Sequence, residues 1–148
     1  MKLNILDWRA LAVILDSIEP KDHKTTSDAR KCIGAVEQIR DDIKDELDKL
    51  EDLQNRLNEA VKPYQEKLKE LPEEKEEERK KIQEEANNAL KPFNEEDREL
   101  GKELRELIAD IEIDKDYVNY IKSIWEDLIK PKFRNTKDML RIADSFNI

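Results

Sequence analysis

The chain has 148 residues, 28 of them basic and 37 acidic, for a formal net charge of −9, with 44% charged residues against 37% hydrophobic. That excess of negative charge excludes general adhesion to nucleic acid or to an anionic membrane. Two glycines and five prolines supply too little turn chemistry for a sandwich, a barrel or a doubly wound sheet. Leucine, isoleucine and valine recur at helical spacing, so the sequence predicts an all-α (mainly α) protein and not a disordered one.

Trp8, Leu11, Leu15 and Ile18 form one stripe at three- and four-residue steps, which predicts a first helix starting near Asp7 as N-cap and ending before Pro20. Asp7, Arg9 and Asp16 interrupt this opening stretch, so it reads as neither a signal peptide nor a membrane span. Thr26, Ser27 or Asp28 caps the next helix. From Val36 to Leu71 the apolar positions make ten steps over 35 residues. That mean period is the coiled-coil seam, with Ile43, Leu50, Leu57 and Leu68 as candidate association residues. A helix from Asp28 to Leu71 would be roughly 65 Å long at ~1.5 Å per residue, which predicts an elongated molecule.

Pro72 and the charged run 72–81 mark a turn, near 72–78, into a returning helix whose stripe runs from Ile82 to Ile111. Residues 61–71 and 90–100 align without gaps, pairing Lys62 with Lys91, Pro63 with Pro92 and Tyr64 with Phe93. A proline inside a helix removes one backbone hydrogen bond and crowds the preceding turn. Pro63 and Pro92 are therefore candidate hinges at equal heights on the two arms.

Within 110–116 the apolar residues Ile111 and Ile113 alternate with acids, as Leu3 and Ile5 alternate near the start, which suggests a two-stranded pair of 2–5 with 111–114. Residues 115–129 form another helix, stopped by Pro131, and a last helix begins near Asn135 or Thr136. Most of the aromatic residues lie at the two ends of the sequence, where a core should form. The expected organisation is one elongated domain, 1–148. Its helical base comprises 1–35 and 105–148, and an antiparallel helical hairpin of about 28–110 projects from it.

The many carboxylates lie on solvated faces, which offer no shaped pocket for acid–base work. The run Asp110, Glu112, Asp114, Asp116 resembles a calcium loop but has Lys115 and Ile121 where glycine and glutamate are needed. With one histidine, His23, and one cysteine, Cys32, no hydrolase, metal centre or internal disulfide is expected, and no cofactor. Gly34 and Gly101 stand alone in helices, where glycine is usually kept for close packing. Residues 130–141 concentrate positive charge in Lys130, Lys132, Arg134, Lys137 and Arg141, with Phe133 available for stacking. This segment is a candidate site for a small phosphorylated ligand or an acidic partner, or else it solvates the base and neutralises the arms.

The layout of short N-terminal helix, long charged hairpin, Ile-Glu-Ile-Asp step (111–114) and closing helical pair resembles small uncharacterised proteins of tailed bacteriophages. The resemblance is one of layout, carries over no functional residue, and implies a phage or prophage origin. The expected function is non-enzymatic: a protein–protein interaction or assembly component, self-associating through its helical seams as a homo-oligomer. The alternative is a host-directed regulator that inhibits or sequesters a host defence factor or phosphorylated signal through the basic segment. The expected setting is the host cytoplasm or the virion.

Overall fold

In a computed structural model describing residues 1–148, strand β1 (Lys2–Asn4) runs directly into helix α1 (Ile5–Asp16). Asn4 makes that junction, because its side-chain oxygen accepts the N–H of Asp7 at 2.8 Å. The helix therefore starts earlier than its stripe suggests, and Asp7 lies inside it. A 3₁₀ turn (Pro20–Asp22) and helix α2 (Thr26–Asp42) follow, the latter capped not by Thr26, Ser27 or Asp28 but by the Thr25 hydroxyl, which accepts the N–H of Asp28. Then come α3 (Lys44–Glu70), α4 (Glu76–Glu106), strand β2 (Ile108–Asp110) and α5 (Lys115–Ile124). A π turn (Trp125–Ile129), a 3₁₀ turn (Lys130–Lys132) and α6 (Thr136–Ser145) follow α5. The fold is mainly α, with one short antiparallel strand pair. No helix is long and apolar enough to cross a membrane.

Further expectations are corrected. The strand partner of 2–5 is 108–110 and not 111–114: Lys2 pairs with Asp110, Leu3 with Ala109 and Asn4 with Ile108. The alternation in 111–114 reflects the burial of Ile111 and Ile113, and past Ile111 the backbone leaves the ladder. Asp114 instead caps α5, and its own N–H donates to the Gln38 side chain at 3.0 Å. The single helix expected from Asp28 to Leu71 is divided at Ile43, whose φ of −109° and ψ of 21° leave the helical region where its side chain enters the core. Neither Pro63 nor Pro92 breaks its helix.

The protein divides into two units, residues 1–46 with 103–148, and residues 47–102. The core of the first is built on Trp8, Trp125 and Phe146, all essentially inaccessible to solvent. Trp8 meets Phe146 edge to face at 6.4 Å and donates its indole N–H to the Ala109 carbonyl at 3.0 Å. One side chain thus ties α1 to α6 and to β2, and buried aliphatic neighbours such as Leu11, Ile121 and Ile129 each contribute about 1.5–3 kcal/mol. Between α1 and α2, the Cys32 thiol donates to the Leu15 carbonyl at 3.3 Å. Between α2 and α5, Gly34 admits the Tyr117 ring so closely that an added Cβ would lie 2.6 Å from Cζ.

The second unit is a helical hairpin. Its helices are joined through 71–75, and Arg79 reaches back from α4 to donate to the carbonyls of Leu68 and Leu71 at 3.1 and 3.2 Å. Those are orphan acceptors at the end of α3, so the Arg79 guanidinium caps the C-terminus of that helix. Further along, Arg56 forks onto Glu96 across the arms while also holding Asp52 one turn away, and its guanidinium keeps the Glu96 carboxyl below the usual carboxylate range.

Candidate functional site

The basic segment 130–141 is assembled by the irregular end of α5. The π turn buries Trp125 and Ile129, and Phe133 lies against Trp125 with ring centroids 5.8 Å apart. Asn135 then caps α6, its side chain accepting the N–H groups of Lys137 and Asp138 at 2.9 and 3.3 Å. The five cations of the segment separate into two groups. Lys130 pairs with Glu126 at 3.1 Å, and Arg141 is committed to Asp7 and Asp138. Lys132, Arg134 and Lys137 are exposed and make no ion pair. A shallow hollow of about 490 Å³ is lined by Lys130, Phe133, Thr136 and Met139 among others, and by none of the three unpaired cations.

The commitment of Arg141 is structural. Asp7 is the one buried charged residue, 3% exposed, and it accepts Nε and Nη2 of Arg141 at 2.9 and 3.1 Å together with the Asn4 amide at 3.0 Å. A bidentate fork of this kind is the strong form of a carboxylate–arginine contact. Its hydrogen bonds push the Arg141 pKa up.

A groove of about 520 Å³ is lined by residues of the first 3₁₀ turn, the start of α2, α5 and the π turn. Ile124, Leu128 and Tyr120 line it together with four carboxylates, Asp22, Asp28, Asp116 and Asp127, and with Lys24 and Lys31. Asp28 is engaged by Lys31 at 3.8 Å, whereas Asp22, Asp116 and Asp127 make no ion pair. The Tyr120 hydroxyl hydrogen-bonds Nδ1 of His23, and burial, with smaller contributions from Asp28 and Cys32, pushes its pKa up to about 12. The groove draws on residues near 22–31 and 116–128, whose acids look in sequence like ordinary helix surface, so no motif in either stretch announces it.

Cys32 is 3% exposed, and burial followed by the charge of Asp16 raises its thiol to about 11, the reverse of what a nucleophile needs. No group of three His, Cys, Asp or Glu side chains is placed to hold a metal ion. Of the candidate seam, Ile43 is a core residue of the first unit. Leu50, Leu57 and Leu68 lie half-buried on the hairpin, where only Leu53 is fully covered. Pro63 and Pro92 are exposed within continuous helices. Lacking an N–H, each leaves the carbonyl four residues earlier, at Glu59 and Asn88, without its helical donor.

Fold and sites together define a mainly α-helical protein with a hairpin unit and a second unit in which an acidic groove adjoins a basic segment. No protein-family profile, no curated protein and no solved structure matches it.

Proposed function

We propose that this is a non-enzymatic helical interaction protein that acts by associating with other proteins, in the first place with copies of itself. The observation that carries this reading is the hairpin stripe: Leu47, Leu50, Leu57, Val61, Tyr64 and Leu68 all keep part of their surface exposed. Two helices cover one side of such a stripe. A second hairpin completes a four-helix core from the same residues, and a homo-oligomer supplies it without any other gene product. The buried Cys32 thiol, whose pKa burial pushes up to about 11, offers no ready nucleophile, which supports the non-enzymatic side of the reading. In a phage setting such a protein serves as a virion or assembly component. The test is mass in solution for wild type and for Leu57→Glu with Leu68→Glu: an oligomer that persists in high salt and is lost in the variant supports the reading, and a wild type monomeric at every salt concentration contradicts it.

The unpaired cations Lys132, Arg134 and Lys137 favour a second reading, a regulator that holds an acidic or phosphorylated partner beside Phe133. Calorimetric titration with pyrophosphate tests it. Binding that vanishes when the three cations are replaced by alanine supports it, and no heat of binding contradicts it.

A further inference from the structure

We infer that the acidic groove and the basic segment of the first unit are the two halves of a self-complementary surface, and that a second copy of the protein occupies it. The two halves meet at the π turn, although the groove also draws on Asp22, Lys24, Asp28 and Lys31. Asp127 and Leu128 of the π turn line the groove, and the basic segment starts two residues later at Lys130. Both halves carry charge that the protomer itself does not neutralise: in the groove Asp22, Asp116 and Asp127 against the single unpaired Lys24, and on the basic segment Lys132, Arg134 and Lys137. A two-fold axis passing beside the π turn sets the basic segment of each copy against the groove of the other. Residue i then meets residue j twice, as a closed isologous dimer requires. The apolar side chains of Ile124 and Leu128 accept the methylene stems of lysine and arginine while their charged ends meet the carboxylates of the groove. A second copy brings both signs in one encounter, which an unrelated basic or acidic ligand does not.

This surface is separate from the hairpin stripe, and the experiment keeps the two apart. Two charge-reversed full-length proteins are made, one with Lys132→Glu, Arg134→Glu and Lys137→Glu, the other with Asp22→Lys and Asp127→Lys. All five positions are exposed, so the fold is retained, as circular dichroism checks. Mass is measured by light scattering at about 0.05 M and about 0.5 M salt, in the wild-type background and with Leu57→Glu and Leu68→Glu added to silence the stripe. In the silenced background the unreversed protein is expected to dimerise at low salt and dissociate at high salt. Each reversed protein alone should dimerise roughly tenfold more weakly or worse, the combined loss of several surface ion pairs. An equimolar mixture of the two should restore a heterodimer, because both contacts are again of opposite sign. Three outcomes overturn the inference: an unreversed protein that stays monomeric at low salt, a reversed protein that dimerises undiminished, or a mixture that stays monomeric. None of these touches the stripe reading, which is decided at high salt in the wild-type background.

Discussion

Arg141 on α6 and Asp7 on α1 form a two-pronged ion pair, Nε to Oδ2 at 2.9 Å and Nη2 to Oδ1 at 3.1 Å, that joins residues 134 positions apart. The carboxylate is buried while the Arg141 side chain is 49% exposed, so the two partners respond differently to mutation. Arg141→Met should cost about 2 kcal/mol, below the ~3–5 kcal/mol of a fully buried pair, because Asn4 still serves Asp7 and the Arg141 side of the pair is 49% exposed. Asp7→Asn combined with Arg141→Met should cost less than the sum of the single changes, since no unpaired charge is then left in the core. Urea unfolding of wild type, both single variants and the double variant checks both statements.

The two glycines should behave in opposite ways. At Gly34 an added methyl group would meet the Tyr117 ring at 2.6 Å, whereas at Gly101 nothing lies within 4 Å. Gly101→Ala should raise stability by about 1 kcal/mol, the ordinary helix preference for alanine. Gly34→Ala should lower it by about 1 kcal/mol as overpacking outweighs that preference, and Tyr117→Leu should relieve the loss. Thermal unfolding of the variants gives the comparison.

Alkaline pH should weaken the first unit. Cys32 titrates near 11 in the fold against 9.0 when free, and Tyr120 near 12 against 10.0, both raised chiefly by burial. A raised pKa means that the folded protein holds its proton longer than the unfolded one, so stability is complete below pH 9 and falls as pH rises through 9 to 12. Cys32→Ala should remove the onset near pH 9 and leave the later fall that belongs to Tyr120. A disulfide reagent should label Cys32 slowly at neutral pH in the native protein and rapidly once urea is added.

The hairpin prolines set a different expectation. Pro63 and Pro92 sit in unbroken helices, each at the cost of one backbone hydrogen bond. Pro63→Ala with Pro92→Ala should therefore stabilise the hairpin, by up to about 3 kcal/mol per site, as urea unfolding measures. If the prolines act as hinges, distances between spin labels at residues 58 and 75 narrow in distribution in the alanine variant. Unchanged distributions contradict the hinge.

Much of this architecture was legible in the residues because it rests on local periodicity. The three- and four-residue steps of Trp8, Leu11 and Leu15 locate α1, and the charged run after Pro72 locates the turn between α3 and α4. What was not legible depends on partners far away in sequence. The alternation of Ile111 and Ile113 reports their burial and not a strand, and the choice of 108–110 as the paired strand accompanies the Trp8 contact with the Ala109 carbonyl, which no local pattern encodes. Arg141 reads as one of five equivalent cations until Asp7 is seen to claim it. The groove is the clearest case, since Asp22 and Asp127 become neighbours of one cavity only when α2 packs on α5.

The most direct test of association as the function is light scattering of the wild-type protein across a salt series. The account predicts an oligomer whose mass falls between about 0.05 M and about 0.5 M salt as the charged contact is screened, and which remains larger than a monomer at the upper end because the apolar stripe is insensitive to salt. A mass of 17.6 kDa at every salt concentration, with helical content intact, would contradict it.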